Sequence, residues 1–144
     1  MSDRKSETLD LLDPPPWGEV PPDATGLERT CHALRHKPLA DFDAGDLRVM
    51  IGQQLSLRFL VPRAIAILEP NHLVEADSYP GDLLNAVLRV EKSYWHEHVD
   101  EWGDVNVIAD EVMQAWEDIR EPLQRSSSTR SSKRSPEPAF RNDR

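Results

Sequence analysis

Prolines partition this chain before anything else does. The sequence holds 12 of them: residues 14–16, 21 and 22 crowd the amino-terminal region, Pro38, Pro62, Pro70, Pro80 and Pro122 punctuate the middle, and Pro136 and Pro138 fall in the last ten residues. Proline lacks the N–H that helix interiors and sheet ladders both use, so each one marks a boundary or an irregular stretch. Between these marks, apolar residues recur at helical spacing, and no long β-branched alternation bounded by turns appears. The expected fold is all-α, a single compact domain of about five helices with a disordered carboxy-terminal tail.

A first helix is expected over residues 24–36, where Leu27, Cys31 and Leu34 fall at i, i+4 and i+7 before Pro38 ends the run. Asp43 is placed to cap a second, with Asp46 at N3 near the exposed amides and Leu47, Met50, Ile51 and Leu55 along one face. Gly52 within that pattern predicts either close helix approach or an end near Gln54. Pro62 fits the first position of a third helix, central and buried, because Ala64 to Leu68 are apolar nearly all round; Pro70 and Asn71 stop it. A fourth begins at Tyr79-Pro80-Gly81-Asp82, with Pro80 in the first turn and Asp82 at N3, and buries Leu83, Leu84, Val87 and Leu88. A short helical turn carries Tyr94 and Trp95, followed by a loop with Trp102 and Gly103. The last helix, residues 104–121, sets Val105, Ile108, Val112, Ala115, Trp116 and Ile119 on one side and is closed by Pro122.

Three regions are expected. Residues 1–23 form an irregular Pro-rich segment that drapes over the domain with Trp17 as its anchor, residues 24–124 the helical domain, and residues 125–144 a Ser/Arg-rich tail. That tail has almost nothing apolar except Phe140 and cannot offset its ordering entropy. The net charge of −9 hides an asymmetry: residues 125–144 hold six bases and two acids, leaving 11 bases and 24 acids in residues 1–124. The acidic body repels phosphates and anionic lipid and steers a basic partner toward it. Neither membrane association nor direct nucleic-acid binding is expected. The polar start Met1–Thr8 and the absence of any long apolar run argue against a signal peptide or a membrane span, so a cytoplasmic location is expected. Cys31 is the single cysteine, which excludes an intramolecular disulfide and a four-cysteine zinc site, and it reads as a bystander thiol.

Between Lys37 and Trp95 stands a series of unusual words in fixed order: Pro38-Leu39, Asp46-Leu47-Arg48, Ile51-Gly52-Gln53-Gln54, Leu60-Val61-Pro62 and Tyr79-Pro80-Gly81-Asp82-Leu83-Leu84, then Trp95. Taken together they resemble the immunity proteins of bacterial contact-dependent growth inhibition systems. The resemblance implies a small protein that neutralises a toxin domain, possibly a nuclease, by stoichiometric binding, with no turnover and no cofactor. Its partner would be a protein toxin domain, expected to be basic. It also implies that the shared words build the scaffold, while partner-reading residues lie outside them.

The remaining candidates for chemistry are weak. His96-Glu97-His98 offers ligands two apart, which diverge on a helix; His32 and His36 have i, i+4 spacing but Ala33 replaces the metalloprotease Glu. No Gly-x-Ser-x-Gly elbow or phosphate loop is present. No catalytic, metal or cofactor residue is assigned, and no enzyme is expected. The residues chosen for partner contact are exposed acids near the words and on the last helix, Glu75, Asp77, Asp110, Glu111, Glu117 and Asp118, with Tyr79 and Trp102 as aromatic anchors. The rival reading is an acidic adaptor that docks a resident basic protein; a small helical enzyme comes third.

Overall fold

Two helices start with reciprocal side-chain and backbone bonds. Thr25 Oγ1 accepts from the Glu28 N–H at 3.1 Å while Glu28 Oε2 accepts from the Thr25 N–H at 3.2 Å. Asp43 and Asp46 repeat the device at 2.8 and 3.2 Å. Each box satisfies two amides that a helix end would otherwise leave open.

Residues 7–133 are described in the computed structural model of this chain, with side chains at residues 7–120 and at Pro122. Seven α-helices lie among them: α1 (Leu9–Leu12), α2 (Gly26–Arg35), α3 (Ala44–Gly52), α4 (Leu57–Leu68), α5 (Asp82–Leu88), α6 (Lys92–Glu97) and α7 (Val99–Lys133), with one 3-10 turn at Leu39–Asp41. No named strand occurs among the described residues; a single isolated bridge pairs Glu75 with Pro80. The all-α class stands, and the count of about five is corrected to seven. Both extra helices are short pieces. Leu9, fully buried, nucleates one turn ahead of the prolines, and Tyr94 and Trp95 anchor a second between Glu91 and His98.

The chain divides into two compact units at the Ala109/Asp110 junction. In the first, α3 packs against both α4 and α5, α4 packs against α5, and α2 packs on α3 and on α1. Leu47, Met50, Ile51, Leu60, Val61, Leu68, Leu83 and Val87 are sealed from solvent, as is Val105 from α7. Burying a side chain of this kind contributes about 1.5–3 kcal/mol relative to leaving it exposed. The second unit is built on the continuation of α7, in which Val112 is half-buried and Met113, Ala115, Trp116 and Ile119 are exposed.

Several boundaries differ from those expected. Pro62 is not the first residue of α4, which begins at Leu57; it sits in the second turn on an exposed face, where the unpaired Arg58 carbonyl can be hydrated. Asp82 is the first residue of α5 rather than N3, because Gly81 adopts φ +90 and turns the chain sharply just before it. Trp102 and Gly103 lie in α7 and not in a loop, since that helix starts at Val99, directly after the break at His98. Pro122 does not close α7, whose backbone runs on to Lys133. A proline removes one helical hydrogen bond and crowds the preceding turn, a cost that does not oblige the helix to end. The expected disordered tail is therefore helical in backbone over its first part, and residues 134–144 lie outside the described residues. Leu27 and Leu88, assigned to core faces, are 46% and 40% exposed.

Candidate partner-binding surface

Three of the ordered words supply braces through Arg48, Gln54 and Asp82. Asp82, only 3% exposed, turns its carboxylate away from its own helix and onto the preceding loop. It accepts from the backbone N–H groups of Ala76 at 2.7 Å, Asp77 at 3.0 Å, Ser78 at 2.8 Å and Tyr79 at 3.4 Å. Burial alone would raise this carboxyl; the four donors together outweigh it and hold the group well below the usual carboxylate range. Arg48, from the Asp46-Leu47-Arg48 word, pairs with Asp77 through Nε at 2.8 Å and Nη2 at 2.9 Å, and its Nε lies 3.9 Å from Asp82. The Arg48 contact, followed by the Ser78 hydroxyl, keeps the Asp77 carboxyl low as well. Residues 75–81 are thus a shaped loop held from beneath.

Two further braces set the rest of the scaffold. Arg35, 2% exposed, donates to Asp10 Oδ1 at 2.9 Å and to the carbonyls of Asp13 and Pro15 at 2.9 and 3.1 Å, and its guanidinium lies 4.9 Å from the Trp17 ring centre. This ties the Pro-rich segment to α2, with Trp17 edge-on to His32. Sequence reasoning missed Arg35, although Cys31, Leu34 and Arg35 share one helical face and so share its burial. Gln54, the last residue of the Ile51-Gly52-Gln53-Gln54 word, donates to the Arg89 carbonyl at 3.3 Å and accepts from the Glu91 N–H at 3.0 Å. Its side-chain amide fixes the connection between α5 and α6.

That connection borders a concavity of the first unit. Leu88, Val90, Trp95, Val99 and Trp102, with Lys92 and His96, line an apolar hollow of about 530 Å³. Trp102 is 37% exposed, and its ring lies 5.1 Å from that of Trp95. On the other side of Val99 a second depression is lined by Glu97, His98, Asp100 and Glu101. Tyr94 supports it: the ring stacks on His98 at 3.9 Å and the hydroxyl donates to Glu101 Oε1. Burial, then the Glu101 acceptor, pushes the Tyr94 phenol above its ordinary range.

The residues singled out for partner contact fall into three places. Glu75, Asp77 and Tyr79 share the braced loop; all three are exposed, although Arg48 already occupies the Asp77 carboxylate and the Tyr79 hydroxyl accepts from Asn85 at 2.8 Å. Trp102 belongs to the hollow. Asp110, Glu111, Glu117 and Asp118 are exposed on the second unit, where Arg120 pairs with Glu117 at 2.8 Å and Gln114 donates to Asp118 at 3.3 Å. Leu88, Val99, Glu97 and Asp100, which line these two depressions, were not among the residues chosen for partner contact. The available signal was Trp95 and Trp102 seven residues apart, but the break at His98 hides it from a helical count.

Among the described residues, no group of three or more His, Cys, Asp or Glu side chains is placed to hold a metal ion. Cys31 is buried, and that burial pushes its thiol up, away from the reactive thiolate. No described helix is long and apolar enough to cross a membrane. What the surface offers is a braced acidic loop, an apolar hollow beside an acidic depression, and an acidic helix.

No curated protein and no solved structure matches the chain. A family model described as CDI immunity proteins, CDI being contact-dependent growth inhibition, matches residues 11–105. The match spans both the Pro-rich segment latched by Arg35 and the first turns of α7, a longer stretch than the ordered words between Lys37 and Trp95. With most of its length matched, this chain belongs to the CDI immunity protein family.

Proposed function

We propose that this protein binds and neutralises a cognate toxin domain in the cytoplasm of the cell that carries it, by stoichiometric protein–protein contact and without turnover. Family membership carries the reading. The charge of the chain supports it and gives it chemistry. A toxin that acts on nucleic acid needs a basic face for its polyanionic substrate, and acidic side chains presented on a preformed scaffold compete for that face. Glu75 on the braced loop and Asp110, Glu111, Glu117 and Asp118 on α7 are exposed acids of this kind, with Tyr79 beside Glu75 on the loop. Rigid presentation matters because a preformed surface loses little entropy on binding.

The test is reconstitution. A toxin domain encoded by a gene adjacent to this one is expected to lose its activity as this protein approaches an equimolar ratio, and the association rate should fall steeply with added salt. Toxin activity that persists at a large excess of the protein would sink the immunity reading. Selective capture of a resident basic protein, with the toxin ignored, would replace it by the adaptor.

A further inference from the structure

The hollow beside Trp95 is unexplained by the scaffold. Three of its walls are large apolar residues left in solvent: Leu88 at 40%, Val99 at 66% and Trp102 at 37% exposure. Contiguous exposed apolar surface of this kind marks an interaction site more often than chance placement does. A second observation concerns Trp95. It lines the hollow, is only 6% exposed, and its indole Nε1 has no hydrogen-bond partner among the described residues. Buried donors are nearly always paired, so the unmatched Trp95 donor leaves this wall incompletely satisfied by the chain's own described groups.

Charge identifies the occupant. Val99 is a ridge common to the hollow and to the depression lined by Glu97, Asp100 and Glu101. Between Leu88 and Asp104 the chain carries five acids, at 91, 97, 100, 101 and 104, against Arg89 and Lys92. A second copy of this chain would bring acid against acid. A segment that suits both sides of the ridge has an aromatic or aliphatic side chain for the hollow and a Lys or Arg next to it for the depression. We propose that the hollow is the anchor pocket for the toxin domain, taking an apolar side chain flanked by a basic one. The proposal rests on the immunity reading and locates its energetic centre: a desolvated aromatic pocket inside a charged rim is where interfaces concentrate their affinity.

Titration calorimetry of the full chain against a toxin domain encoded by an adjacent gene, with stopped-flow for the association rates, tests this directly. Val99→Lys and Trp102→Ala should each weaken binding by about 10- to 100-fold. Glu97→Lys combined with Asp100→Lys should slow association at low salt and converge on the wild type at high salt. Leu11→Lys, at an exposed apolar residue outside the hollow, should bind normally. Circular dichroism melts check the fold; if Trp102→Ala is unfolded, Val99→Lys decides, since the Val99 side chain is mostly in solvent. Wild-type affinity in both apolar variants, with the toxin still bound, overturns the anchor pocket and leaves the immunity reading intact. Failure of the unaltered protein to bind the toxin overturns both.

Discussion

Asp46 and Asp82 stand at the start of two helices and use their charge in opposite directions. At α3 the Asp46 carboxylate reaches back three residues to the Asp43 N–H and accepts from Lys37 at 2.6 Å, so it serves its own helix end. Asp82 at α5 abandons its helix and collects four amides of the loop before it. The backbone makes the difference. Asp43 is extended, which aims the Asp46 side chain along the helix start, whereas Gly81 at φ +90 folds residues 76–79 over the Asp82 carboxylate. Arg48, two residues after Asp46, joins the two sites by pairing with Asp77 on the gathered loop. A helix-start acid is therefore either a cap or the nucleus of a loop, and only the second shapes a surface that a partner can read.

The largest effect should come from the second kind. Asp82→Ala leaves four loop amides without an acceptor, and partial hydration of an exposed loop recovers only some of the loss, so destabilisation of about 3–4 kcal/mol is expected. Urea unfolding measures it, and a loss below about 1 kcal/mol would mean that another contact holds the loop. Acidification tests the same group without mutation. The folded Asp82 carboxyl lies below its unfolded value of roughly 3.9, so its contribution is fully present above that pH and is lost as the pH falls further toward the folded value. Stability of the wild type should therefore decline more steeply below about pH 4 than that of Asp82→Asn, which has no carboxyl to protonate. Parallel acid curves for the two proteins would refute the assignment.

The contrast also explains what the sequence made legible. Caps and apolar faces are local, and α2, α3 and the buried positions Leu47, Met50 and Ile51 followed from spacing alone. The all-α class and the family resemblance followed in the same way from proline positions and ordered words. Long-range use of a side chain was not legible. Nothing near Asp82 announces that it serves residues 76–79, and nothing near Gln54 announces its bonds to Arg89 and Glu91. Continuity of α7 was hidden by Gly103 and Pro122, two residues that local rules treat as breaks. Periodicity likewise cannot tell burial from exposure: Val105 and Ile108 are buried, while Trp116 and Ile119 on the same predicted stripe are 49% and 56% exposed. An apolar stripe states that a helix has a face to cover, and the cover belongs to the tertiary structure.

A smaller effect is expected at the local cap. Asp43→Ala removes one side of the α3 box, an exposed site where water can replace the bond, and should cost about 1 kcal/mol in the same urea measurement. The ratio of this loss to that of Asp82→Ala sharpens the comparison, because both replace an aspartate beside a helix start with the same residue. Equal losses would erase the distinction between cap and loop nucleus.

The smallest predicted change has the opposite sign. Gly52 ends α3, and a Cβ built there meets no other atom within 4 Å, which removes close helix approach as its reason and leaves the helix end. Alanine loses less backbone freedom on folding and favours the helix, so Gly52→Ala should stabilise by about 0.5–1 kcal/mol. Gly81 is the counter-case: its φ of +90 disfavours any L side chain, and an added Cβ would come within 3.2 Å of Leu73 Cδ2. Two glycines inside the ordered words therefore have different physical reasons to be there, one required by the turn that loads Asp82 and the other dispensable for the fold. Destabilisation by Gly52→Ala would show that the α3 end needs its flexibility to present Gln54 to the α5–α6 connection, and would make that word as dependent on its backbone as the Gly81 turn.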